Sequence, residues 1–229
     1  MTPSIITIDG PAGSGKTTLG RRLATTLGLP LVDTGLFYRG VMVAAARAGI
    51  EATDVDGLIA CARRTEVSID TDPTHESADS TAWVNGVDAG PALRDPANAP
   101  LLAAMSSIPE VRETLLEQQR HLAQEGTVAV GRDCGTVVFP DARLKLYLVA
   151  SEEIRAQRRQ SQLQRSGAAV DIALMDGEVR ARDHQDASRS SAPMQAAEDA
   201  HHLDTGVLDV DEVVREALDL WTTASVARQ

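Results

Sequence analysis

Short runs of β-branched and aliphatic residues alternate along this chain with stretches whose apolar positions recur every three or four residues. Ile5 to Ile8 makes the first run, stops at Asp9-Gly10 and passes through a glycine-rich turn into a segment carrying Leu19, Leu23 and Leu27. That order predicts strand, loop, helix, with Gly28 as the helix stop and Pro30 just beyond it. Leu31-Val32 predicts a second strand ending at Asp33, followed by a helix from about Leu36 to Ala48 that closes at Gly49. A βαβα rhythm implies a parallel sheet covered by helices.

The pattern changes between about residues 55 and 100. Turn-forming residues crowd Asp70 to Ser80, and Trp83-Val84 followed by Asn85-Gly86 predicts a hairpin. The segment reads as a small inserted subdomain. From Pro109 to about Gln124, Val111, Leu115, Leu116 and Leu122 line one side of a helix that starts at proline. Thr127 to Val130 and Leu144 to Val149 read as further buried strands of the first sheet. Ser151 is placed to cap a charged helix with acids in its first turn. A second polar helix is expected from Asp171 to about Asp186, then a strand near His202 to Asp204 and a helix from Val210 to about Leu220.

The composition narrows the class. A chain of 229 residues with 43% hydrophobic content can bury a substantial core, and its net charge of -11 argues against holding nucleic acid through a broadly basic face. Any polyanion must meet local cations. Cys61 and Cys134 lie too far apart to suggest a disulfide framework or zinc cluster, and His121, His201 and His202 lack metal-ligand spacing. The first residues lack a secretory pattern, and no apolar stretch approaches the ~20 residues that span a bilayer. The expectation is a cytoplasmic protein, monomeric, with no membrane or nucleic-acid partner.

Gly10-Pro11-Ala12-Gly13-Ser14-Gly15-Lys16-Thr17 matches G-x-x-x-x-G-K-[ST], directly after a strand and opening a helix, with Thr18 next. The glycines let amides turn inward around phosphate oxygens, and the helix N-terminus favours negative charge. Lys16 is expected to reach the β and γ phosphates of ATP and Thr17 to ligate Mg²⁺. The fold class is therefore α/β: one P-loop NTPase three-layer domain over residues 1–229 with a central parallel sheet. At the carboxyl edge of that sheet, where ligands bind in open α/β folds, the sequence also delivers Asp33-Thr34-Gly35, Phe37-Tyr38-Arg39 and Gly131-Arg132-Asp133. A charged pair such as Arg132 and Asp133, ending an apolar strand, is expensive to bury without a task.

Taken in order, TIDGPAGSGKTT, LVDTGLFYRG, IPEVRETLLEQQR, GRDCGTVVFPDARLKLYL and VRARDHQDASRSSAPM make the chain resemble the bacterial cytidylate kinases over nearly its whole length. The resemblance implies transfer of the γ phosphoryl of ATP to CMP or dCMP, an acceptor-binding insert at about 55–100 and a helical lid at about 155–170. It also implies that Thr34, Tyr38 and Arg39 approach the acceptor, that Arg112 grips its phosphate, and that Arg132 and Asp133 hold the acceptor or read cytosine. Arg182, Asp186 and Arg189 complete the acceptor set by resemblance; on a continuous helix their spacing of four and seven would give them one face. Lys16, Arg132, Arg158 and Arg182 are the implied catalytic cations. Arg155 and Arg159 read equally as lid cations or as solvated charges, and Tyr38 as a ligand contact or as packing beside Phe37. The chain departs from the family where Ala103 replaces a hydroxyl residue, Gln185 a basic one and Ala187 a polar one. A P-loop kinase for another small acceptor remains the alternative, while a GTP-type switch would need an N-K-x-D segment that the sequence lacks.

Overall fold

The computed structural model describes residues 4–75, 81–123, 126–165, 186–188 and 192–226. β1 (Ile5–Asp9) runs through the glycine-rich loop into α1 (Lys16–Leu27), and β2 (Leu31–Asp33) and α2 (Gly35–Arg47) follow. Next come α3 (Val55–Arg64), β3 (Val67–Ile69), β4 (Ala82–Val84), β5 (Val87–Asp88), α4 (Ala99–Ser107) and α5 (Pro109–His121). β6 (Thr127–Val130) leads into a π-type turn at Cys134–Val138, then β7 (Leu144–Val149), α6 (Glu152–Arg165), β8 (His201–Asp204) and α7 (Val210–Val226).

The main sheet has strand order β2-β6-β1-β7-β8, and every pairing in it is parallel. Its two faces follow the period of two along β1. Ile6 and Ile8 pack with Leu19, Leu23, Leu146 and Val213, between the sheet and helices α1 and α7. Ile5 lies on the other face with Ala129, Cys134 and Val138, the side toward which Thr7 and Asp9 also alternate. Covering on both sides explains why these strands read as near-continuous apolar runs.

The second sheet, β3-β4-β5, is antiparallel. Its hairpin turns at Asn85 and Gly86, with φ of 50° and 77°; two consecutive left-handed residues are what a tight hairpin of matching twist requires. This sheet shares a core with α2, α3, α4 and α5 built around Phe37, Val41, Leu58, Leu93, Met105 and Leu115. The loop beyond β3 returns to the main sheet, where Leu31 N–H donates to Thr71 O at 2.8 Å.

The region where the pattern changes, from about residue 55, opens on a regular helix. Asp54 caps α3 by accepting the Gly57 amide at 2.9 Å, and Leu58, Cys61 and Ala62 form its buried face. Of the polar helix expected from Asp171 to about Asp186, residues 171–185 lie outside the described residues, as do residues 166–170 of the expected lid, while residues 186–188 are helical.

Gly20 sits where α1 crosses β6, and a methyl group there would lie 2.6 Å from Val130 Cγ1. Helix propensity alone would favour alanine by about 1 kcal/mol, whereas overpacking against a β-branched strand residue costs about 1–3 kcal/mol. Gly20→Ala is therefore expected to lower the urea midpoint, with the slope of the transition unchanged.

Candidate active site

The loop between β1 and α1 is built on left-handed backbone at Gly10, Gly13 and Gly15, with φ of 143°, 75° and 93°. At Gly10 a side chain would also meet the backbone oxygen of Leu148 at 2.4 Å, so the loop hugs β7 too closely for any other residue. Lys16 is buried, its ammonium donating to Pro11 O at 2.6 Å across the loop. Thr17 and Thr18 are exposed in the first turn of α1. Inside the loop, Ser14 Oγ is buried with no hydrogen-bond partner. An orphaned hydroxyl is costly in a finished core and suits a cradle completed by phosphate oxygens.

The residues expected on the acceptor side assemble next to it. Gly131 N–H donates to Ile8 O at 3.1 Å, which sets the segment leaving β6 beside the start of the loop. Asp133 is 5% exposed and accepts from Arg112 Nη2, while Arg112 Nη1 donates to Ser106 O at 3.1 Å. The Arg112 guanidinium lies 5.3 Å from the centre of the Tyr38 ring, which gives Tyr38 a definite place in the cluster. Arg132 Nε is 3.3 Å from Asp186 Oδ2, so these two expected acceptor residues do meet, across 54 residues of chain.

The remaining expected residues among those described bond outside the Arg112–Asp133 cluster. The Thr34 hydroxyl is buried and donates to Val130 O at 3.0 Å, and Arg39 donates to Leu93 O at 2.6 Å. Arg155 donates to Ala12 O at 3.1 Å, so it rests on the loop and is not merely a solvated charge. Arg158 reaches Gly13 O at 3.5 Å and Thr205 O at 2.5 Å. Arg182, Gln185 and Arg189 lie outside the described residues, and Ala187 is exposed. Ser106 and Ser107, near Ala103 on α4, both donate to Ala103 O at 3.0 Å.

Sequence reasoning missed three residues here. Asp9, 4% exposed, accepts the amides of Cys134 at 2.8 Å and Gly135 at 2.7 Å. Burial pushes its carboxyl up to about 6 and the nearby Asp133 charge adds to that, while the two amides pull it down. The same cost argument applied to Arg132 and Asp133 would have singled it out. Gln119, 2% exposed, donates to Thr34 O at 3.2 Å, and Thr205 anchors Arg158; neither carries a sequence signal. Burial, with Asp9 and Asp133 beside it, holds the Cys134 thiol well above its ordinary value, which leaves it unreactive.

A parallel sheet with a phosphate-binding loop after its central strand, and a cluster of arginines and carboxylates beside that loop, defines a P-loop nucleotide-binding enzyme. A sequence model of the cytidylate kinase family matches residues 6–223. The chain is 40% identical to a cytidylate kinase of Nocardia farcinica over 217 residues, covering 94% of this chain and 92% of that one. It belongs to the cytidylate kinase family. Among solved structures it is similar to a gluconokinase from Sinorhizobium meliloti (16% identity, 96% and 93% of the chains covered, TM-score 0.47). A shikimate kinase from Acinetobacter baumannii is comparable (15%, 97% and 94%, TM-score 0.45).

Two outcomes follow from the geometry. Arg112→Met leaves Asp133 buried without its cation and should cost about 3–5 kcal/mol in urea unfolding, most of it recovered in Arg112→Met/Asp133→Leu. For Asp9 the folded value exceeds the ordinary 3.8, so the folded state takes up the proton first and stability from this group falls as pH rises. The stability of the wild type relative to Asp9→Asn should thus drop by roughly 2 kcal/mol between about pH 4.5 and pH 7.

Proposed function

We propose that this enzyme transfers the γ phosphoryl group of ATP to CMP or dCMP, giving ADP and CDP or dCDP, with the groups around the loop in the following roles. Membership of the cytidylate kinase family supports the reaction. The observation that carries the assignment of roles is the adjacency of two unlike sites at one sheet edge: a phosphate cradle ending in Lys16, and the Arg112–Asp133 pair beneath Tyr38.

The donor's phosphates occupy the loop from Gly10 to Thr18. Ser14 Oγ, the loop amides and the α1 N-terminus offer donors to their oxygens, and Lys16 leaves Pro11 O for the β and γ phosphates. Thr17, exposed at the start of α1, would offer one hard oxygen to Mg²⁺. Bound there, the ion would neutralise charge on the β and γ oxygens.

The acceptor's phosphate lies against Arg112, with Arg39, Arg182 and Arg189 supplying further charge, and its base and sugar are held by Tyr38, Arg132, Asp133 and Asp186. Thr34 holds the β2 to α2 corner in shape through Val130 O. One acceptor phosphate oxygen attacks Pγ in line. The new P–O bond forms as the bond to the bridging β,γ oxygen breaks, and the electron pair leaves with ADP. That acceptor oxygen is already anionic near neutral pH, so no strong base is required. Catalysis consists of positioning and charge neutralisation by Lys16, Arg132, Arg158 and Arg182. The lid, at about 155–170, closes from the position in which Arg155 and Arg158 already touch the loop, and closure excludes water. The reading includes a monomer in the cytoplasm. Among the described residues no helix is long and apolar enough to cross a membrane.

Acceptor-dependent ADP formation with ATP and CMP, dCMP, UMP, AMP or shikimate tests the assignment. The cytidine nucleotides should give the highest kcat/KM, and preference for another acceptor would replace the reading. Lys16→Ala should lower kcat by about 100-fold or more, on the order of 3 kcal/mol of lost charge stabilisation, with unfolding unchanged.

A further inference from the structure

Asp9 is the last residue of β1, and the next residue, Gly10, begins the phosphate loop. Its two carboxylate oxygens accept from Cys134 and Gly135, the first two amides of the π-type turn that follows Arg132 and Asp133. One side chain therefore joins the root of the donor loop to the acceptor segment. The approach is close by construction. A Cβ on Gly135 would lie 2.9 Å from Thr7 Oγ1 and 3.4 Å from Asp9 Oδ2, so only glycine lets the turn settle onto β1. The charged groups around the carboxylate do not neutralise it. Asp133 faces it with the same sign, the Cys134 thiol lies beside it, Lys145 from β7 sends its ammonium to Asp199 at 2.8 Å, and Lys16 donates to Pro11 O. Burial makes the ionised form costly here. What only the carboxylate supplies is acceptance of both amides at once. An asparagine accepts one and turns its own NH₂ toward the other.

We propose that Asp9 is a positioning residue for phosphoryl transfer, whose paired hydrogen bonds to Cys134 and Gly135 fix the Arg132–Asp133 segment against the phosphate loop and so set the distance from acceptor to donor. The proposal rests on the cytidylate kinase reading given above. A displacement of about 1 Å between reacting groups costs on the order of 100-fold in rate, and the loop alone still binds the donor.

The test compares wild type, Asp9→Asn and Gly135→Ala, the last of which keeps the charge and moves the amides. Both variants should lose about 100-fold in kcat/KM for CMP while the Kd for ADP, by calorimetry, stays within about twofold of wild type. The ratio of wild-type to Asp9→Asn kcat/KM removes the titration of the nucleotides themselves. It should fall toward one as pH drops through about 6, as the wild-type carboxyl protonates and loses an amide. In ligand-free wild type, the amide proton shifts of Cys134 and Gly135 should titrate together over the same range. The proposal is overturned by a variant with wild-type CMP kinetics, by losses of CMP turnover and ADP affinity in equal proportion with a pH-independent ratio, or by amide shifts that do not titrate. Wild type inactive on CMP, with those shifts titrating and the Asp9→Asn split appearing for another acceptor, would instead remove the substrate reading and keep the anchor.

Discussion

β1 lies between β6 and β7, parallel to both, and that pairing decides where everything else in the molecule can be. Parallel strands bring their carboxyl ends to one edge, and burial of both faces excludes water from that edge. Polar groups delivered there must find partners from other elements. Asp9 finds the amides of the turn after β6, Asp133 finds Arg112 from α5, and Thr34 finds Val130 O. Each of these bonds joins two elements that the chain separates. The edge is therefore cross-linked by hydrogen bonds as well as packed, which suits a site where small displacements matter to the chemistry.

The same edge explains how an acidic protein handles polyanions. With a net charge of -11 the long-range field does not attract nucleotides. Affinity must come from cations gathered at short range, and those cations already lean on protein oxygens: Lys16 on Pro11, Arg155 on Ala12, Arg158 on Gly13 and Thr205, Arg112 on Asp133. Most of those oxygens are neutral carbonyls. Phosphate oxygens compete with them favourably, because a charge-assisted bond is roughly twice as strong as a neutral one. Arg112 differs, since its partner is a buried carboxylate and the guanidinium can hold Asp133 with one nitrogen while another meets a ligand.

The small sheet and the helices around it form a second core, which Val32 on β2 links to the main sheet. Tyr38 and Arg39 sit on α2, with Arg112 on α5 packed beside it. These three residues thus ride on elements whose mutual packing differs from that of the loop, α1 and α7. Movement between the two cores would alter the acceptor groups relative to the donor loop. The contacts between β1 and the turn after β6 are where that relation is set.

Local chemistry was legible in the sequence. Glycines with left-handed backbone made the phosphate loop, Asn85-Gly86 made the hairpin and Ser151 capped α6 through the Ile154 amide, because each depends on residues a few positions apart. The strands at Thr127–Val130 and Leu144–Val149 were legible for a related reason: burial on both faces leaves an apolar run. Only the tertiary structure decided which partner each buried polar group took. Nothing in the chain's local pattern joins Asp9 to Cys134, Arg158 to Thr205 or Arg132 to Asp186. A polar contact made across dozens of residues leaves no periodicity behind, since its geometry comes from how helices and strands pack and not from the spacing of the residues that make it.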